Sequence, residues 1–142
     1  MAAEGLETAR HFLRSARRYR PHLLSEPEEK VLAEKSVTGS SAWGRLFSEQ
    51  VSAITVDLPD EDEPVTLDAA LARLMSPDRD ERRTAAEAVT AALEPGLRTR
   101  AYIFNTLLHD KAIDDRLRHY DNWLAARNLA NEASDESVQA LL

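Results

Sequence analysis

Cysteine is missing entirely from these 142 residues, which removes disulfides, thiol nucleophiles and Cys-based zinc sites at once. The absence fits a reducing compartment. Glycine occurs only 4 times, while Ala, Leu, Glu and Arg abound, a balance that favours helix. No run of about 18 apolar residues exists, so no segment is expected to span a membrane. Positive charge is also short: the formal net charge is −7, which gives solubility and argues against a nucleic-acid binder. With 43% hydrophobic and 30% charged residues, the chain reads as a soluble globular protein rather than a disordered one. The N-terminus is Arg-rich but lacks the apolar core of a secretory signal, and Glu4 and Glu7 oppose a transit-peptide reading. A cytoplasmic protein is expected.

What is present is mostly helical periodicity. Leu6, Ala9, Phe12, Leu13, Ala16 and Tyr19 predict an amphipathic helix over residues 5–20, stopped by Pro21. Ser25 and Glu28 form a capping-box signature for a second helix reaching Ser36. Thr38 and Gly39 break the chain, and Ser40 or Ser41 can cap a third helix carrying Trp43, Leu46 and Phe47. The period then changes to two: Ile54, Val56 and Leu58 alternate with Ala53, Thr55 and Asp57. A charged turn, PDEDE, separates this run from a short partner strand at Val65 to Leu67. An isolated hairpin is marginal in water, so this one must pack on helices.

Helices resume with Leu71, Leu74 and Met75 as an apolar face, and Asp78 with Glu81 signals another start, leading through Ala85, Val89 and Leu93. Pro95 suits the first turn of the next helix. There Leu97, Ala101, Phe104 and Leu108 form a stripe extended by Ile103 and Leu107. A helix over residues 122–131 follows, and Ser134 caps a last one whose Val138, Leu141 and Leu142 line one face. That apolar ending, without a C-cap or basic last turn, suggests a chain cut from something longer. The expected fold is mainly α: a single domain over residues 1–142 with about six to eight helices and one small β-hairpin near residues 52–67. The aromatic residues, on predicted helix faces, are expected in the core, with Trp123 the one to watch for exposure.

No motif carries catalysis. The histidines His11, His22, His109 and His119 lack the HxxxH spacing of a helical zinc site. His109, Asp110, Asp115 and His119 could meet across two turns, but ordinary surface or hydrogen-bonded histidines explain them as well. DEDE at residues 60–63 lacks the Gly and spaced ligands of a calcium loop. SVTGSS lacks the GK[ST] of a phosphate loop, and no GxSxG elbow occurs. No catalytic and no metal-ligating residue is therefore assigned, and no cofactor is expected in this chain. Arg14, Arg17 and Arg18 share a helix face and could meet an acidic partner, although cations are also favoured near a helix C-terminus for purely local reasons. With Leu141 and Leu142, they make the candidate interaction surface.

Four segments resemble the N-terminal helical region of the oligoendopeptidase F family of zinc metallopeptidases, peptidase family M3. They are RPHLLSEPEEKVLAEKSVTGSSAWGRLF, TLDAALARLMSPDRDERRTAAEAV, FNTLLHDKAIDDRLRHYDN and RNLANEASDESVQALL. Their order and spacing carry the resemblance over residues 10–142. Family members usually place a Gly between the Arg and Tyr of the third segment, where this chain has Arg118-His119-Tyr120. The resemblance implies a helical wall over a channel that admits short peptides, with the rest of the peptidase chain as partner. It also implies zinc in the parent enzyme, held by two His and a downstream Glu around an HExxH helix. No HExxH occurs here, so none of those roles transfers and the chain alone is expected to be inactive. The alternative expectation is a stand-alone α-helical interaction module.

Overall fold

A computed structural model describes residues 8–141. Among them are eight α-helices and one two-stranded antiparallel sheet, so the fold is mainly α with a single small hairpin, as the periodicities predict. The described residues divide into a terminal unit, residues 8–35 with 108–141, and a central unit, residues 36–107.

The central unit is built around the hairpin. Helix α3 (Ser40–Ser52) ends where the alternating run begins, and β1 (Thr55–Val56) pairs with β2 (Val65–Thr66) in the register Thr55 to Thr66 and Val56 to Val65. The strands are shorter than the sequence pattern, because Ser52 still belongs to α3 and Leu67 opens α4 (Leu67–Ala72). The inward phase is nonetheless kept beyond the paired residues. Val56 and Leu58 are buried with Leu67, Ala70 and Val89 in one cluster, so the hairpin packs on α4 and on α5 (Arg79–Leu93). Two side-chain caps set these helices: Thr66 Oγ1 accepts from the Ala69 N–H at 3.3 Å, and Asp78 Oδ1 from the Asp80 N–H at 2.8 Å. The acidic turn is not merely a solvated tip, since Arg73 in the 3-10 turn Arg73–Met75 ion-pairs with Asp60 and Glu61.

Several expectations are corrected here. The buried face of α4 is Leu67 and Ala70, whereas Leu71 and Met75 are exposed. Pro95 lies before α6 (Leu97–Leu117) rather than in its first turn. The break is made by Gly96, whose φ of 78° is a left-handed conformation that side-chain-bearing residues adopt only at a cost. On α6, Ile103 is buried, but Leu97, Phe104 and Leu108 of the predicted stripe face solvent. Most aromatics are not core: Phe12, Tyr19, Phe47, Tyr102 and Phe104 are exposed and Trp43 and Tyr120 half-buried, while Trp123, the one expected at the surface, is 71% exposed. Periodicity identifies an apolar arc but not whether another element covers it, and in both helices a neighbouring, smaller arc is the packed one.

The terminal unit contains α1 (Arg10–Arg18), a 3-10 turn at Arg20–His22, most of α2 (Glu26–Ser36), the end of α6, α7 (Ala125–Ala130) and α8 (Asp135–Gln139). Leu6 of the predicted first helix lies outside the described residues. The Ser25–Glu28 signature is used: Glu28 Oε2 accepts from the Ser25 N–H at 2.9 Å and from its hydroxyl at 2.6 Å. These bonds hold the Glu28 carboxyl below its ordinary range. Ser134 caps α8 as expected, its Oγ accepting from the Ser137 N–H at 3.2 Å.

Two helices here end on left-handed residues other than glycine. At the end of α6, His119 has φ 59°, with Tyr120 N–H bonded to Asp115 O and His119 N–H to Arg116 O. After α7, Glu132 has φ 53°, with Ala133 N–H bonded to Asn128 O and Glu132 N–H to Leu129 O. Both are Schellman motifs. The position where the resemblance leads one to expect Gly thus adopts a glycine-like conformation with His119 in place.

Candidate functional site

The most densely bonded place in the terminal unit is where the start of α2 meets the end of α6. The Arg118 guanidinium donates to both oxygens of Glu29, at 2.7 and 3.0 Å, and through Nε to Asp114 at 2.9 Å. Glu29 also accepts from the Leu24 N–H at 3.2 Å. His22 is tied to the same turn by a 2.8 Å bond between Nδ1 and Arg118 O, and its ring stacks on Tyr120 with centroids 3.9 Å apart. A bidentate Arg–carboxylate pair fixes orientation as well as distance. The Arg118 bonds, followed by that from Leu24, pull the Glu29 carboxyl down from 4.5 to about 2. Glu29 and Asp114 in turn push Arg118 up, so both charges persist across the physiological range.

This brace frames a groove of about 730 Å³ open to solvent. One wall comes from residues 23–32 and includes Leu23, Glu28 and Val31; the other is Arg116, Leu117 and His119. The volume falls within the range of small-molecule and peptide-sized sites. Leu23 and Val31 are exposed on it. Neither Arg116 nor His119 has a side-chain hydrogen bond or ion pair among the described residues. No signal in the sequence marked this groove. Its two walls are about ninety residues apart, and its apolar residues read as ordinary helix faces.

The candidates from the sequence lie elsewhere. Arg14, Arg17 and Arg18 are exposed on α1. Leu141, 87% exposed, follows α8. Leu142 lies outside the described residues. Near the arginines, Glu132 accepts from Ser15 Oγ at 2.9 Å and pairs with His11 Nε2 at 3.0 Å. These bonds lower the Glu132 carboxyl, with Ser15 the main cause. Glu132 sits between the hydroxyl and the imidazole, so His11 is bonded to the carboxylate and not to Ser15, and the order is not that of a Ser-His-Asp triad. His109, Asp110, Asp115 and His119 do not form a cluster. Asp115 is paired with Lys111, and His119 is on the groove rim. Among the described residues no group of three or more His, Asp or Glu could hold a metal ion.

The described residues form a mainly helical architecture with one small hairpin and an open groove in its terminal unit. A family model described as Oligopeptidase F, for the N-terminal part of M3 peptidases, matches residues 1–55 of the 142. Over residues 1–55 the resemblance read from the sequence is borne out: this segment is similar to the N-terminal region of oligoendopeptidase F-like peptidases. The match takes in α1, α2 and the Leu23–Val31 wall of the groove; the Arg116–His119 wall lies beyond it. No match was found among curated proteins or among solved structures. No helix among the described residues is long and apolar enough to cross a membrane.

Proposed function

We propose that this chain is the non-catalytic N-terminal domain of an M3-family oligoendopeptidase, walling the substrate channel of a zinc enzyme that cleaves short peptides in the cytoplasm. The observation that carries the reading is the family match over residues 1–55. The exposed apolar stripe of α6, at Leu97, Phe104 and Leu108, supports it, because such faces suit further protein surface. In this reading the partner is the rest of the peptidase chain, which supplies zinc and the general base, while this domain restricts access to them.

The test is the DNA that follows the Leu142 codon, read together with an assay of the pure chain on a quenched fluorogenic peptide. An in-frame HExxH downstream, with no zinc-dependent cleavage by the 142 residues alone, is the expected result. Zinc-dependent turnover by these residues alone would overturn the non-catalytic role. The second reading, a stand-alone helical interaction module, draws on the match ending at residue 55 and on the exposed Arg14, Arg17 and Arg18 face. A stop codon directly after Leu142 would move it ahead.

A further inference from the structure

The groove of the terminal unit combines two features that point to a ligand. Its lining is largely apolar, with Leu23 and Val31 exposed to solvent. At one rim stand two basic side chains, Arg116 and His119, neither bonded to an acid among the described residues. The neighbouring Arg118 is engaged with Glu29 and Asp114. Glu28 lies on the facing wall and repels an anion there. The complementary ligand is an apolar chain ending in an anion, with that anion directed to the Arg116 rim. The groove is open rather than a closed tunnel, so one side of any occupant stays in water. That suits a peptide, whose amides remain hydrated, better than an acyl chain, which gains most from complete enclosure.

We infer that this groove binds the carboxyl-terminal end of a short apolar peptide, its carboxylate on Arg116 and His119 and its last side chains over Leu23, Val31 and Leu117. The brace of Arg118 on Glu29 is what holds the two walls at their spacing. This inference is independent of the peptidase reading, since it uses only the groove's own residues.

The test titrates the full chain with N-acetyl-trileucine as the free acid, as the C-terminal amide, and with decanoate, followed by amide NMR shifts. The free acid is expected to shift resonances at residues 23–32 and 116–119 and to bind roughly tenfold more tightly than the amide, the value of one charge-assisted contact. R116Q is expected to bring acid binding down to the level of the amide while leaving amide binding unchanged, with the spectrum of the free protein confirming the fold. Equal binding of acid and amide would overturn the carboxylate contact. Tighter binding of decanoate than of the peptide would assign the groove to acyl chains instead. No localised shifts at millimolar peptide would remove the site altogether.

Discussion

Arg118 and Glu29 meet through two hydrogen bonds, at 2.7 and 3.0 Å, across 89 residues of chain. The pair joins the opening turn of α2 to the closing residues of α6, and its effect should be visible in acid. The Glu29 carboxyl titrates near 4.5 when free of these bonds and at about 2 in the folded chain. Its folded value is depressed, so its contribution is complete above the unfolded value and is lost as pH falls from 4.5 towards 2. We expect E29Q to be less stable than the parent at neutral pH. The two urea midpoints should converge as pH drops through that window. Parallel curves with a constant offset would show that Glu29 does not titrate differently in the folded state.

His119 occupies the left-handed position of the Schellman motif that ends α6, with φ 59°. A side chain with Cβ is disfavoured there by roughly 1–2 kcal/mol relative to glycine. H119G should therefore raise the stability of the free chain by about 1 kcal/mol. H119V, β-branched in the same place, should lower it. Urea denaturation with an unchanged slope is the appropriate measure. A destabilised H119G would mean that the imidazole makes contacts worth more than the backbone strain.

How much of this could be read in advance differs from residue to residue. The capping signatures at Ser25, Asp78 and Ser134 were legible because a cap is local: the partners lie within a few residues of each other. The hairpin was legible because its alternation places Val56 and Leu58 on one side whatever they meet. The burial choice in α4 and α6 was not, because Leu71 and Phe104 look as suited to a core as Ala70 and Ile103 until the neighbouring element is known. The groove was hidden for the same reason at longer range. Arg118 and Glu29 look like two surface charges in the sequence, and only tertiary structure turns them into a brace.

Asn128 is a buried polar residue within α7, and its Nδ2 donates to Oδ1 of Asp135, the first residue of α8, at 2.7 Å. α7 and α8 have six and five residues, too few to stand as isolated helices in water. Their order depends on contacts of this kind. N128A should cost about 1–3 kcal/mol, the usual range for losing a hydrogen-bonded buried polar group. Hydrogen exchange should show residues 125–139 losing protection before the rest of the domain. Uniform loss of protection across the chain would show that these helices unfold only with the whole.

The neighbours Ile103 and Phe104 give the sharpest test of how α6 is oriented, since Ile103 is 0% exposed and Phe104 61%. Composition alone would rank the larger aromatic as the more important core residue. The structure reverses that order. I103A removes a fully enclosed side chain and should cost about 2–5 kcal/mol, including the cavity left behind. F104A removes surface already in water and should stay within about 0.5 kcal/mol. Both are read from urea midpoints of the isolated chain. If F104A proves the more damaging, α6 packs through the Leu97–Phe104 stripe, and the face offered here to further protein surface is already used within the chain or between copies of it.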